Sequence, residues 1–229
     1  MLFITGDIHG EINRFSIENF PIQKKLTKED YLIIAGDFGL IWDDSLQEKE
    51  KRKILSDKNF TTLVIDGNHE NFNLLNNYPI TTWHGGKVQF ITDSIIHLMR
   101  GEVYTINDKK IFVMGGATSI DKEYRINNIS WWKEEFPSIK EMNNGLTNLE
   151  KNNWKVDYII THDCPISVQH HIEYYLKHKI ISDNLNLYLE EINYKTEFEK
   201  WFFGHYHFDI KNVCDKYDAL YENIIEITS

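Results

Sequence analysis

Short, continuous apolar runs that stop at glycine-containing or polar turns recur along the chain. Leu2–Thr5 leads into Gly6-Asp7-Ile8-His9-Gly10, and Tyr31–Ala35 into Gly36-Asp37. Thr62–Ile65 leads into Asp66-Gly67-Asn68-His69-Glu70, Tyr158–Thr161 into His162-Asp163, and Trp201–Phe203 into Gly204-His205-Tyr206-His207. Runs without polar alternation belong to strands covered on both faces, so the pattern predicts an α/β chain with these runs as buried strands. Helix-like stretches lie between them. Ser45–Asp57 is one, with Asp43, Asp44 or Ser45 as N-cap, and Asn184–Ile192 is another. Ile95–Met99, Glu102–Ile106 and Ile111–Met114 read as consecutive strands turning at Asn107-Asp108, and Phe208–Ile227 as short strands again.

From Gly115 to Pro137 no clear period holds. The aromatic and charged residues there, including Tyr124, Arg125, Trp131 and Trp132, read as a structured loop over a site rather than a linker. No repeat, low-complexity tract or compositional break divides the chain, which predicts one domain over residues 1–229.

Composition narrows the partners. A chain of 229 residues, 41% hydrophobic and 14% aromatic, can bury one sizeable core. Lys+Arg of 25 against Asp+Glu of 35 gives a net charge of -10, which argues against a broad basic surface tracking nucleic acid. Phosphate substrates stay open, because bound divalent cations reverse the local sign of a pocket. Cys164 and Cys214 form no metal or redox pair motif and read as small buried thiols. Met1 to Thr5 carries no basic segment, and no stretch approaches the ~20 apolar residues of a spanning helix. A soluble cytoplasmic protein with no membrane partner is expected; oligomeric state is open.

In open α/β sheets, ligand sites lie beyond the carboxyl ends of the strands. Five strand ends carrying Asp, His or Asn are therefore expected to form one site. Carboxylate, imidazole and carboxamide donors without thiolate suit Mn, Fe, Co, Zn or Mg, with Mn favoured. Asp7 and His9 can reach one ion, the two oxygens of Asp37 can bridge two, and Asn68 offers a neutral oxygen. His205 and His207 can point to neighbouring ions, and His162 completes the set. Two divalent metal ions about 3.5–4 Å apart can hold a bridging hydroxide and clamp a phosphoryl oxygen. His84, His97, His170, His171 and His178 read as ordinary histidines; adjacent His170 and His171 would face different ways on a helix. Arg125 is a candidate substrate-binding fork or a salt-bridged loop residue. Trp131 and Trp132 are expected to pack the loop rather than roof a pocket. Gln47–Lys53 is read as a solvated helix face.

The ordered strings Asp-x-His, Gly-Asp, Gly-Asn-His-Glu, His and Gly-His-x-His, from Gly6 to His207, resemble the calcineurin-like metallophosphoesterase superfamily. The resemblance implies a four-layer αββα sandwich of two mixed β-sheets flanked by helices. It implies one metal at Asp7, His9, Asp37 and His207, and a second at Asp37, Asn68, His162 and His205. His69 matches the position of the catalytic acid, which protonates the leaving oxygen or stabilises the transition state. A partner acid often orients that histidine, and Asp43, Asp44 and Glu70 are available. GDIHG and GNHE are similar to the phosphoprotein phosphatase branch, which carries two phosphate-binding arginines. Here Asp37 is followed by Phe38-Gly39-Leu40-Ile41-Trp42 instead of Asp-Arg-Gly, and Asp66 stands where the second arginine would be. Gly39-Leu40-Ile41-Trp42, with the later Gly-Gly-Ala-Thr-Ser-Ile-Asp-Lys and Trp-Trp-Lys-Glu-Glu segments, looks more like small bacterial or phage-type metallophosphatases. The expected function is a dinuclear hydrolase of phosphomonoesters or small phosphodiesters. The alternatives are a nuclease acting on short nucleic-acid ends, a Ser/Thr protein phosphatase, and a non-catalytic scaffold; the full set of candidate ligands speaks against the last.

Overall fold

Burial on two faces explains why the strands read as unbroken apolar runs. In the computed structural model, which describes residues 1–177 and 179–227, alternate residues of each strand enter different layers. In β1 (Leu2–Thr5), Leu2 and Ile4 face a central core while Phe3 faces an outer one. In β2 (Tyr31–Ala35), Ile33 and Ala35 face inward and Leu32 and Ile34 outward. β3 (Thr61–Ile65) continues the rule with Leu63 and Ile65 against Val64.

The seven-stranded sheet has the order β12-β1-β2-β3-β6-β5-β4 and the five-stranded sheet β11-β10-β9-β8-β7. Here β4 is Ile80–Trp83, β5 Gly86–Thr92, β6 Ile95–Leu98, β7 Val103–Ile106 and β8 Lys109–Met114. The remaining strands are β9 (Tyr158–Thr161), β10 (Lys200–Phe203), β11 (Tyr217–Ala219) and β12 (Ile225–Glu226). Both sheets are mixed: β1, β2, β3 and β6 run parallel, as do β8, β9, β10 and β11, with antiparallel strands at the edges. Ile111, Val113, Ile160 and Phe202 of the smaller sheet meet the inward residues of the larger one, so the central core lies between the sheets.

Helices cover the outer faces. Leu55 of α1 (Leu46–Ser56) joins the layer outside the larger sheet. The smaller sheet is covered by α3 (Ile139–Lys151), α4 (Ile166–Leu176) and α5 (Asn184–Lys195), through Leu149, Ile172 and Leu189. α2 (Phe72–Leu75) is a single turn. The four-layer sandwich expected from the resemblance is the fold observed. Ser45, one of the three candidate caps, starts α1, while the Glu48 carboxylate accepts from the N–H groups of Trp42, Asp43 and Asp44 at 2.9–3.1 Å. The Asn107-Asp108 turn joins β7 to β8, and both residues are left-handed, the geometry of a tight hairpin.

The pattern did not reveal β4, β5, α3 or α4. β4 is an edge strand with Ile80, Thr81 and Thr82 exposed, so it carries no apolar run. α3 does begin with a legible signal, since Ser138 and Glu141 form a reciprocal capping box. No helix among the described residues is long and apolar enough to cross a membrane.

Candidate metal centre and cleft

The carboxyl ends of β1, β2, β3, β9 and β10 converge on one point, and backbone hydrogen bonds lock their turns together. His9 N–H donates to Asp37 O at 2.8 Å, and Gly204 N–H to His162 O at 3.0 Å. Space at the junction is tight. A Cβ on Gly67 would lie 2.0 Å from Asp37 Oδ1, and one on Gly204 2.2 Å from Asp7 Oδ1. The glycines in the sequence strings thus make room for a carboxylate from another strand end. His9, Asp37, His205 and His207 all have left-handed backbone, with φ of 45–68°. For non-glycine residues that conformation costs roughly 1–2 kcal/mol each, and strain of this kind concentrates at functional sites.

Asp7, His9, Asp37 and His207 offer ligand atoms that all lie within 4.8 Å of one another. His9 and His207 bring their Nε2 atoms to 3.0 Å. Asp7 is fully buried. Its Oδ1 accepts from the His205 N–H at 3.0 Å, but its Oδ2 has no hydrogen-bond partner. His207 Nε2 is 3.1 Å from that oxygen, and this polar contact with Asp7, followed by its negative charge, raises the imidazole's pKa against burial, although the N–H is too far out of line to satisfy the oxygen geometrically. A buried carboxylate oxygen without a donor, beside converging imidazole nitrogens, fits a divalent cation.

Asp37 reaches a second group of donors. Its Oδ2 lies 3.7 Å from His9 Nε2 and its Oδ1 3.5 Å from His162 Nε2. Burial would raise the Asp37 carboxyl, but the histidines His162, His69 and His9 outweigh it and hold the group ionised. His162 Nδ1 is 2.9 Å from Ala35 O, which can only accept, so Nδ1 carries a proton and Nε2 faces the site. Burial would favour neutral His162, yet Asp37 and Asp7 push it up to about 10. Asn68 Oδ1 sits 3.0 Å from His162 Nε2, and its Nδ2 donates to Ser119 Oγ, itself held by buried Glu135. The His205 ring lies 5.1 Å from that of His162, and burial lowers its pKa. All seven candidate ligands are therefore together.

His69 lines the adjoining cleft with Arg125. Its backbone N–H donates to Asp37 Oδ1 at 2.7 Å. None of the three acids considered as its partner meets its ring. Glu70 accepts from Phe38 N–H, Asp43 from Ser45 N–H, and Asp44 pairs with Arg52 and Lys49. Instead Arg125 Nη1 lies 3.0 Å from His69 Nδ1, while Arg125 Nε pairs with Asp121 at 2.8 Å. A guanidinium only donates, so Nδ1 accepts and the His69 proton sits on Nε2. Burial, together with Arg125, lowers the His69 pKa against the opposing pull of Asp37.

The remaining expectations resolve simply. Trp132 is buried edge-to-face against Trp42, as packing predicts. His84 lies against Trp83, His97 is held between Gln89 and Asp66, and His170 and His171 are on α4; His178 lies outside the described residues. Cys164 is buried and Cys214 half-buried, both as free thiols. Asp66, at the position of the missing arginine, is buried in an ion pair with Arg100 and a hydrogen bond with His97. Sequence reading missed Ser119, Asp121 and Tyr221, whose ring stacks on His207 at 4.7 Å. Ser119 and Asp121 lie in the Gly-Gly-Ala-Thr-Ser-Ile-Asp-Lys segment and Tyr221 in no motif string, and only the fold brings them to the site.

No curated protein matches the chain in sequence. Among solved structures, it is similar to a phosphopantetheinyl hydrolase from Mycobacterium tuberculosis, at 15% identity and TM-score 0.46, covering 96% of this chain and 87% of that one. It is also similar to a candidate 5'-nucleotidase from Staphylococcus aureus, at 12% identity and TM-score 0.49, covering 96% of this chain and 48% of that one. A family model for calcineurin-like phosphoesterases matches residues 2–209, from the first strand past the last candidate ligand. With that match across almost the whole fold, the chain belongs to the calcineurin-like phosphoesterase family and is a metal-dependent phosphoester hydrolase.

Proposed function

We propose that the protein hydrolyses phosphomonoesters or small phosphodiesters at a site for two divalent cations. Asp7, His9, Asp37 and His207 would hold one, and Asp37, Asn68, His162 and His205 the other, with Asp37 shared. The observation that carries this reading is the convergence of Asp7, His9, Asp37 and His207 around a buried carboxylate oxygen that lacks a donor. When bound, such cations supply Lewis acidity to a phosphoryl oxygen and make water a competent nucleophile near neutral pH. The donor set accepts Mn, Fe, Co, Zn or Mg, and Mn²⁺ is the first ion to test.

The chain's own residues do the rest. His162 is oriented by Ala35 O and Asn68 by Ser119, so both present their ligand atoms without rearrangement. His69 contributes an Nε2–H donor for an oxygen of the reacting phosphoester. Because Arg125 fills Nδ1, a neutral donor fits better than an imidazolium acid, whose Nδ1–H would oppose the guanidinium. Arg125 is accordingly assigned to holding His69. With its Nε on Asp121 and its Nη1 shared between His69 and the Ser130 carbonyl, only Nη2 is left for a substrate phosphate.

Chelation should abolish hydrolysis of 4-nitrophenyl phosphate and of bis(4-nitrophenyl) phosphate, and Mn²⁺ or a similar ion should restore it. Full activity in protein shown to be metal-free would overturn the proposal.

A further inference from the structure

The cleft beside the candidate metal centre encloses about 660 Å³ and is lined by both polar and apolar side chains. Asn68, His69, His205 and His207 line it from the candidate metal centre. Ile120, Leu176, Ile180 and Ile181 also line it, from the 115–137 loop, the end of α4 and the connection between α4 and α5. Ile120 is 98% exposed and Ile181 94%. Branched apolar side chains left in water at the mouth of a site gain free energy only when apolar matter covers them.

These walls are built rather than frayed. Thr118 Oγ1 hydrogen-bonds to Asp183, the N-cap of α5, and so ties the two loops together. Ser182 Oγ donates to Gln169 Oε1 at 2.6 Å, and Ile180 N–H to Glu173 Oε1 at 2.8 Å. The charge lining the cleft opposes a polyanionic remainder, because Asp121, Asp163 and Asp183 stand there against Lys179 and an Arg125 already paired to Asp121.

From this arrangement we infer that the substrate is a phosphoester with an apolar organic arm, which lies along the Ile120–Ile181 wall while its phosphoryl group sits beside His69. The inference rests on the phosphoesterase reading above. Continuity of the wall with the metal centre makes the substrate's own arm, rather than a separate partner, the occupant.

The test uses Mn²⁺-reconstituted full-length protein and two probe series, n-alkyl phosphates and n-alkyl 4-nitrophenyl phosphodiesters, each with ethyl, butyl and octyl arms. The leaving group varies little within either series. kcat/KM should rise about 10–100-fold from ethyl to octyl, mainly through KM, as expected for partial burial of the added methylenes. Ile120→Ser with Ile181→Ser should flatten that dependence, and Ile120→Leu with Ile181→Leu should preserve it. A flat series in the wild type, or a slope untouched by the serine pair, would overturn the apolar arm while leaving the phosphoesterase reading standing. A preference for nucleotide over octyl arms would do the same, as would a dimer that shields both isoleucines. No hydrolysis of any member by metal-loaded protein would overturn both.

Discussion

His69 illustrates how one neighbour decides a residue's chemistry. An imidazole with Nδ1 against a guanidinium can present Nε2–H as a donor, but it cannot gain a second proton without placing two donors face to face. Donation without net proton transfer predicts a specific hierarchy among substitutions. His69→Ala should keep its metals and lose about 10²–10³-fold in kcat, the usual cost of deleting one positioned donor. His69→Gln, which can still donate but cannot act as an acid, should recover part of that loss. Equal inactivity of the two variants would return His69 to the role of acid. Arg125→Ala separates holding from phosphate binding: kcat should fall with KM little changed, whereas a phosphate clamp would raise KM. Arg125 was visible in the sequence as a candidate, but its partner was not, because Asp121 and His69 meet only through the fold of the 115–137 loop.

The Asp66 turn at the end of β3 shows an element held by a buried ionic cluster. Asp66 Oδ2 accepts from Arg100 Nε at 2.7 Å and its Oδ1 lies 3.0 Å from His97 Nε2. Its carbonyl accepts from Gly116 N–H, anchoring the loop that carries Ser119 and Arg125. Burial would raise the carboxyl, but Arg100 and His97 lower it to about 2. An acid depressed in the folded state contributes stability above its unfolded value near 3.9, and that contribution is lost as pH falls from about 4 through 2. The amount is on the order of 2–3 kcal/mol. Asp66→Asn would leave Arg100 buried without its main counter-charge, and urea unfolding near neutral pH should show a loss of about 3–5 kcal/mol. The variant should also lose much of the acid sensitivity between pH 4 and 2. A loss under about 1 kcal/mol would show that the cluster is not what fixes this turn. From sequence, Asp66 was legible only as a departure from a known string; its burial and its partner Arg100, 34 residues away, were not.

At the scale of the whole molecule, the sequence disclosed what is local. The five strand ends and their donors were legible because strands buried on both faces carry unbroken apolar runs, and each donor follows within a few residues. The edge strand β4 and the apolar lining of the cleft were not, because the first carries no apolar run and the second depends on the 115–137 loop meeting the connection between α4 and α5. The sandwich's most consequential junction is Asp37, where a strand end of one sheet meets His162 from the other. Ligands that bind only the folded state stabilise it, by about 2.7 kcal/mol at a hundredfold excess over Kd. For a chain of this size that corresponds to a rise of roughly 5–10 °C in Tm for each site filled. Mn²⁺ titration followed by thermal unfolding should show this rise, with two ions bound per chain by elemental analysis. Asp37→Asn should diminish the stabilisation and both ions together, since the shared carboxylate joins the two donor groups. One ion retained at unchanged affinity, with the corresponding part of the Tm shift, would mean that the two donor groups bind metal independently.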